Sequence, residues 1–147
     1  MDAADELEAP VLVRGAAGGF AQTLEIGPHR LTADEPVTVG GTATGPTPYE
    51  LLLAALGSCT SMTISMYARH KQWPLESVVV RLKHEKIHAK DCEECETKVG
   101  KIDQIDREIE LTGPLTDDQR QKCLAIADRC PVHQTLMSKI RISTRLR

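Results

Sequence analysis

The chain has 147 residues, a length that fits one domain, and its 41% hydrophobic content is enough for a packed core. Aromatic residues make up only 3% and the formal net charge is −3, so we expect no nucleic-acid partner that stacks bases or attracts phosphates. The acidic start lacks a secretory-signal pattern, and no run of about 18 apolar residues predicts a membrane span. We therefore expect a cytoplasmic protein without a membrane partner.

The first part of the chain predicts an antiparallel meander of three short strands. Residues 1–9 are acidic and are expected to form a flexible tail, whereas residues 10–147 are expected to form a single domain. Short apolar or alternating segments predict strands at residues 11–14, 20–26 and 29–39, with glycine- and proline-containing turns between them.

A long helix is predicted after a break rich in glycine and proline. Thr47 is the expected N-cap, Pro48 takes the first helical position, and Glu50 follows Thr47 by three residues, as in a capping box. We expect the helix to run through Cys59 to about His70. Because its first half is apolar on nearly every side, we expect a second subunit to cover it.

The rest of the chain predicts a pair of strands, a second helical region and a last strand. Pro131 interrupts the helical pattern, so it must kink that helix or begin another. The predicted elements are strands at residues 78–87, 105–111 and 140–146, and a helical region that opens with a capping box at Thr116 and Gln119. The order β-β-β-α-β-β-α-β predicts an α+β fold.

Five cysteines are present, an odd number that fits a purely structural disulfide framework poorly. Cys59 lies in the middle of the long predicted helix, among small and hydroxyl-bearing residues. Cys130 directly precedes Pro131, where it can cap the next helical segment and where unpaired N–H groups favour a thiolate. Either could equally be a small buried hydrophobic residue, and the apolar neighbours of Cys123 favour that interpretation for Cys123.

Two motifs resemble those of the OsmC/Ohr family. The segment Thr-Pro-Tyr-Glu-Leu-Leu-Leu-Ala-Ala-Leu-Gly-Ser-Cys, which ends at Cys59, resembles the helix motif that carries the first redox cysteine of that family. The segment Cys-Pro-Val-His, which begins at Cys130, resembles the second motif. The predicted element order also agrees with the family over about residues 11–147, and the Cys-x-x-Cys insertion resembles one sub-branch of it.

The resemblance implies a fold, an assembly and a reaction. The fold would have antiparallel sheets around two central helices, in an intertwined homodimer with reactive sites at the subunit interface. Cys59, as a thiolate, would reduce a hydroperoxide and become a sulfenic acid, and Cys130 would condense with it to a disulfide. An external dithiol, either a lipoyl protein or a thioredoxin-like protein, would restore both thiols. No metal or bound cofactor is implied.

The resemblance also gives Glu50 a role beside the reactive thiol, through an arginine that stabilises the thiolate. On a straight helix, Glu50 and Cys59 point about 180° apart and are separated by roughly 13 Å. Glu50 would therefore serve the partner subunit's site, act across a bent helix, or only cap the helix. No arginine lies at the expected positions, and Arg14 and Arg30 are the nearest candidates. We expect an attenuated or differently activated Cys59 thiolate.

A second group of candidate ligands lies between the two central predicted strands. His88, Cys92 and Cys95 offer an imidazole and two thiols, which suit Zn²⁺. Four neighbouring carboxylates raise the pKa of these thiols, and no second Cys-x-x-Cys follows, which favours a charged hairpin with a Cys92–Cys95 disulfide. A third interpretation is an auxiliary redox pair that delivers electrons to the first cysteine pair.

Two functions follow from these patterns. The favoured one is a thiol-dependent peroxidase that reduces organic hydroperoxides or hydrogen peroxide through Cys59 and Cys130. The alternative is a non-catalytic module, redox-responsive or zinc-binding, that uses His88, Cys92 and Cys95.

Overall fold

The computed structural model describes residues 10–147, so the predicted acidic tail at residues 1–9 lies outside the described residues. The chain forms two compact units, an N-terminal unit that ends at Leu51 and a C-terminal unit from Leu52 to Arg147. Antiparallel strands and three α-helices within the described residues confirm the predicted α+β fold. The expectation of a single domain over residues 10–147 stays a prediction.

The N-terminal unit contains the predicted meander. β1 (Val11–Gly15) pairs with β2 (Gln22–Ile26), and β2 pairs with β3 (His29–Ala33), in both cases antiparallel. Gly27 has a φ of 56° in the turn between β2 and β3, a conformation that glycine adopts without strain. The three strands are confirmed in number and order, although the third ends at Ala33 and does not reach Val39.

One buried carboxylate organises the loop that follows β3. Asp34 accepts hydrogen bonds from the hydroxyl groups of Thr42 at 2.5 Å and Thr44 at 2.7 Å, and from three backbone N–H groups. These bonds, with those from Thr42 and Thr44 largest, hold the pKa of Asp34 well below its usual range. The chain therefore folds back around Asp34 instead of extending β3.

α1 (Pro48–His70) begins and ends as predicted. The N–H of Thr47 donates to Glu50 Oε1 at 3.0 Å, and the N–H of Glu50 donates to Thr47 Oγ1 at 3.2 Å, which confirms the capping box. By length and composition α1 could cross a membrane, but the core helix of a soluble protein meets the same criterion. Its Met62 and Met66 side chains are 71% and 64% exposed in the single chain.

A long β-hairpin forms the two-stranded sheet of the C-terminal unit. β4 (Ser77–His88) and β5 (Lys101–Thr112) pair antiparallel over their full length. Alternate residues of both strands are half-buried, because one face of the hairpin packs on helices. The buried core joins residues of α1 with residues of α2 (Asp117–Ala127), and its members are Ile64, Cys123, Ile126 and Ala127. The expected core position of Cys123 is thus confirmed.

The second helical region divides at Pro131. Thr116 and Gln119 form the predicted capping box at the start of α2. α2 ends at Ala127, and α3 (Pro131–Leu136) begins with Cys130 as its N-cap. Proline suits the first position of a helix because the N–H that it lacks has no helical partner there. Pro131 therefore begins a new helix and does not kink the old one.

The predicted last strand is wrong for this chain. Residues 138–147 contain no strand, although Ile140, Ile142 and Leu146 alternate with polar residues. The side chains of Ile142 and Leu146 are 83% and 100% exposed. A strand requires a neighbouring strand to pair its backbone groups, and neither sheet of the described chain includes this segment. The observed order is β-β-β-α-β-β-α-α.

Removing the Asp34 carboxylate is expected to destabilise the N-terminal unit, because it leaves its hydrogen-bond donors without an acceptor. Asp34→Ala should melt at a lower temperature than wild type in circular dichroism. Thr42→Val should show a smaller loss, and Thr38→Val, at an exposed position, should show none.

The stability difference between wild type and Asp34→Ala should also depend on pH. Because folding lowers the pKa of Asp34, the carboxylate stabilises the fold above the ordinary carboxyl pKa of about 3.9. This contribution is lost as the pH falls through the lower pKa of the folded state. A difference that grows as the pH falls would contradict the assigned role of Asp34.

Candidate functional site

The two cysteines of the recognised motifs meet in the C-terminal unit. Cys59 lies in the middle of α1, and Cys130 lies in the turn between α2 and α3. The two thiols lie close enough for each to shift the pKa of the other, in opposite directions. Cys130 is fully buried, whereas Cys59 is partly exposed. The structure thus brings together two sulfurs that are 71 residues apart in the sequence, and only one of them faces solvent.

Several donors converge on the sulfur of Cys130. The backbone N–H of His133 donates to Cys130 Sγ at 3.5 Å, as expected for a residue at the N-cap position. Burial opposes ionisation of this thiol, but hydrogen bonds from Cys59, from the N–H groups of His133 and Val132, and from the Thr60 hydroxyl outweigh it. Together they hold the pKa of Cys130 below its ordinary value.

The pKa of Cys59 is shifted in the opposite direction. Burial raises the pKa of Cys59, and the hydrogen bond to Cys130 raises it further, while contacts with Val132 and Thr63 lower it less. Of the two thiols, Cys59 therefore holds its proton more tightly and Cys130 ionises more readily. This direction agrees with the expectation of an attenuated Cys59 thiolate.

The hairpin supports α1 directly beneath the cysteine. Gly57 is buried two residues before Cys59, and a Cβ atom there would come within 2.7 Å of Leu82 Cδ1 on β4. The missing side chain therefore lets α1 approach the sheet closely. Thr60 is also fully buried, and its hydroxyl donates to the carbonyl of Leu56 at 2.7 Å.

Arg107 of β5 reaches toward Thr60 and the end of α2, although no sequence motif marks it. Its Nη1 donates to Thr60 Oγ1 at 3.1 Å and to the carbonyl of Ala127 at 3.4 Å. Its Nη2 donates to Asp128 Oδ1 at 2.8 Å. The side chain is only 13% exposed. The alternation of Ile105, Arg107 and Ile109 could have indicated this position, because it turns Arg107 toward the buried face of the hairpin.

The other predicted members of the site lie in the N-terminal unit. Glu50 forms the capping box with Thr47, so a role for Glu50 beside a reactive thiol stays a prediction. Arg14 and Arg30, the nearest candidates for the expected arginine, both form ion pairs with Glu25, at 3.5 Å and 3.3 Å. Both arginine side chains are largely exposed.

The Cys-x-x-Cys pair lies at the far end of the hairpin. Cys92 and Cys95 form a disulfide, and a disulfide offers no thiolate to a metal. Within residues 10–147, no three His, Cys, Asp or Glu residues are grouped to hold a metal ion. Zinc binding by His88, Cys92 and Cys95 therefore stays a prediction that requires prior reduction of the disulfide.

The geometry of the hairpin also separates this disulfide from the first pair. Leu82 packs at Gly57, and β4 continues for six more residues to His88, which is about 20 Å of strand. Direct thiol exchange between the two cysteine pairs of one chain is therefore not supported.

Comparison with known proteins gives a family for this arrangement. The family model described as OsmC-like protein matches residues 41–145, which include both Cys59 and Cys130. Among proteins of curated function, none matches the chain by sequence.

Several solved structures share the fold. An OsmC-like protein from Mycoplasma pneumoniae is 19% identical with a TM-score of 0.68, and the match covers 90% of this chain and 88% of that one. An organic hydroperoxide resistance protein OsmC from Legionella pneumophila is 18% identical with a TM-score of 0.62, covering 90% and 92%. A Psychrobacter arcticus protein named for osmotic stress and detoxification is 16% identical with a TM-score of 0.68, covering 88% and 89%. At these identities the likeness is one of fold.

The thiol pair should show an ionisation that belongs mainly to Cys130. In wild type, the ultraviolet absorbance of thiolate should rise at a pH below the ordinary thiol pKa. Cys59→Ala should move this titration to higher pH, because the thiolate loses the S–H donor. Cys123 and the Cys92–Cys95 disulfide do not interfere, since burial raises the pKa of Cys123 and a disulfide does not titrate.

Cys130→Ala is the matched control, and it should abolish the titration at low pH. A titration that persists in Cys130→Ala but disappears in Cys59→Ala would reverse the assignment of the thiolate.

Proposed function

Because the chain belongs to the OsmC-like protein family, we propose that it is a thiol-dependent peroxidase that reduces organic hydroperoxides or hydrogen peroxide. The observation that carries the proposal is the close pair of Cys59 and Cys130, in which a partly exposed thiol lies beside a buried thiol that ionises more readily. The name of the Legionella structure, an organic hydroperoxide resistance protein, supports the same chemistry.

In the first step, the hydroperoxide reacts with Cys59, the more exposed sulfur of the pair. The proton of the Cys59 thiol passes to the neighbouring sulfur of Cys130, which ionises more readily, so that Cys59 becomes the nucleophile. A bond forms between Cys59 Sγ and the distal oxygen, and the O–O bond breaks. The alkoxide leaves and takes a proton from solvent to become an alcohol. Cys59 is then a sulfenic acid.

In the second step, Cys130 attacks the sulfur of the sulfenic acid. The S–S bond forms, the S–O bond breaks, and the departing hydroxide takes the Cys130 proton to leave as water. The pair is now a disulfide and the peroxide has received two electrons. Cys130 thus acts first as proton acceptor and then as resolving thiol, two roles that its buried and hydrogen-bonded position supports.

An external dithiol completes the cycle by thiol–disulfide exchange, which returns both cysteines to thiols and leaves the reductant as a disulfide. A lipoyl protein or a thioredoxin-like protein fits this requirement. We further propose a cytoplasmic location, where such dithiols are kept reduced. The disulfide product can be reached through Cys59, since Cys130 has no exposed surface.

We also propose that the chain works as a homodimer. Met62 and Met66 lie one helical turn apart on α1 and are both mostly exposed in the single chain. Large apolar side chains exposed together on one face often mark a protein–protein contact. A second copy that covers this face agrees with the sequence-based expectation of an intertwined dimer.

The alternative function uses the other cysteine pair. The Cys92–Cys95 disulfide lies in the loop that joins β4 and β5, where both residues are partly exposed. A redox-responsive module could use reduction of this disulfide as its trigger, and its reduced form could bind zinc. This alternative predicts that peroxide consumption does not depend on Cys59.

Peroxidase activity is tested by the consumption of cumene hydroperoxide in the presence of a dithiol reductant. Wild type should turn over, and Cys59→Ser should lose essentially all turnover because no sulfur nucleophile faces the peroxide. Cys130→Ser should react at most once per molecule, and its first step should be about a hundredfold slower because the proton acceptor is gone.

Cys123→Ala serves as the control, because Cys123 lies in the core away from the pair and should keep wild-type activity. If wild type is inert and zinc co-purifies in stoichiometric amount, the peroxidase proposal fails and the alternative function is favoured.

The dimer is tested by Met66→Glu. A carboxylate on the α1 face would have to be buried without a partner in the dimer, so the variant should elute as a monomer in size exclusion with light scattering. Gln121→Glu, on an exposed position of α2, should remain dimeric. A wild-type protein that is monomeric at micromolar concentration would overturn the proposed assembly.

A further inference from the structure

Arg107 links the two helices that carry the cysteines, although it belongs to neither. It projects from β5 and donates hydrogen bonds to Thr60 on α1, to the last residue of α2, Ala127, and to Asp128 in the turn toward Cys130. Most of its side chain is withdrawn from solvent. A guanidinium group has five N–H donors in a fixed plane, so it can hold several acceptors at once in a defined arrangement.

We propose that Arg107 is the positioning residue of the Cys59–Cys130 pair, acting through Thr60 and through the Ala127–Cys130 turn. It holds the two sulfurs in contact and favours the ionised form of Cys130. This inference rests on the proposed peroxidase function for its catalytic meaning, but its effect on the thiol pair can be measured without any peroxide.

The first path runs through the Thr60 hydroxyl. This hydroxyl accepts a hydrogen bond from Arg107 and lies within hydrogen-bond reach of both the Leu56 carbonyl and the sulfur of Cys130. A hydroxyl has only one proton to donate. In the structure this proton is donated to the Leu56 carbonyl at 2.7 Å. With the cation of Arg107 on its oxygen the hydroxyl is a stronger donor, and a thiolate at Cys130 is the acceptor that would gain most if the hydroxyl turned toward it.

The second path runs through the backbone of the turn. The carbonyl of Ala127 accepts from Arg107 at 3.4 Å and from the N–H of Cys130 at 3.3 Å. The next residue, Asp128, forms the ion pair with Arg107 at 2.8 Å. Arg107 thus holds both the Ala127 carbonyl and the Asp128 side chain, at the start of the turn that leads to Cys130. The position of the buried sulfur relative to Cys59 depends on this turn.

The charged and ionisable side chains around the turn are those of Arg107, Asp128, Arg129 and His133. Asp128 lies 2.8 Å from Arg107 Nη2 and also 3.9 Å from His133 Nε2, whereas Arg129 is exposed. Arg107 remains charged at every pH of interest. A fixed positive charge therefore lies beside the turn that carries Cys130.

The test compares Arg107→Met and Arg107→Lys with Arg81→Met. Arg81 is a matched control, because it lies on the same hairpin and pairs with Glu110, but it is well exposed. Two quantities are measured: the pH at which the Cys130 thiolate forms, by ultraviolet absorbance, and the rate at which a mild disulfide oxidant closes the Cys59–Cys130 bond.

Arg107→Met should raise the pKa of Cys130 by about one unit and slow disulfide closure about tenfold at neutral pH. Arg107→Lys keeps the charge but not the planar set of donors. Relative to Arg107→Met, it should therefore restore part of the lowering of the Cys130 pKa but little of the rate of disulfide closure. Arg81→Met should match wild type in both. An arginine with a purely structural role would lower the melting temperature of Arg107→Met and leave the thiolate pKa unchanged, which would overturn the inference.

Asp128→Asn keeps the inference testable if Arg107→Met fails to fold. The Asp128 side chain is 67% exposed, so this variant should fold, and it should slow closure in the same direction by a smaller factor. Closure at the wild-type rate in Asp128→Asn and Arg107→Lys would also overturn the inference. If instead Arg107 shifts the thiolate titration while wild type consumes no peroxide, the positioning role stands and the proposed peroxidase function fails.

Discussion

The Cys59 and Cys130 thiols meet where the middle of α1 approaches the turn between α2 and α3, and each shifts the pKa of the other. This contact makes Cys130 the more readily ionised sulfur of the two. It also joins a partly exposed group to a fully buried one. In the proposed cycle, a hydroperoxide reaches the exposed sulfur with a proton acceptor already beside it, and every later step proceeds from that arrangement.

The hairpin of β4 and β5 gives this contact its geometry. Gly57 lets α1 pack closely on Leu82, which seats the cysteine-bearing turn of the helix on the sheet. Arg107, from the other strand, extends across to Thr60 and Asp128. The hairpin thus supports the segments of both cysteines from the same side. Two groups that react with each other must be held in a defined relative geometry. The disulfide of Cys92 and Cys95 lies at the opposite end of that hairpin and takes no part in this support.

Local patterns in the sequence were sufficient for most of the helices and strands, whereas the cysteine pair was predicted from the two motifs of the family resemblance. Capping residues placed the start of α1 at Thr47, and the proline after Cys130 placed that thiol at a helix N-cap. The last strand could not be predicted in the same way. Alternation at Ile140 and Ile142 describes a segment suited to pairing, but pairing also depends on long-range contacts with another strand, and neither sheet of residues 10–147 includes this segment.

The position of Arg107 could not be predicted for a related reason. A cation was expected near Arg14 or Arg30 because of the family resemblance, whereas the structure brings Arg107 from a distant strand to Thr60 and Asp128, which are neighbours of the two cysteines in the sequence. A charged residue in an inward position of β5 looks like an exception to the alternation when only the sequence is read. Its meaning depends on the tertiary contacts with Thr60 and Asp128, which no local pattern contains.

The most direct measurement is the identity of the bond that forms when the reduced protein receives one equivalent of an organic hydroperoxide. Peptide mapping by mass spectrometry under non-reducing conditions should find a new disulfide between the peptides that carry Cys59 and Cys130, with one alcohol released per bond. A sulfinic acid at Cys59 with a free Cys130 thiol, or oxidation confined to Cys92 and Cys95, would contradict the proposed cycle.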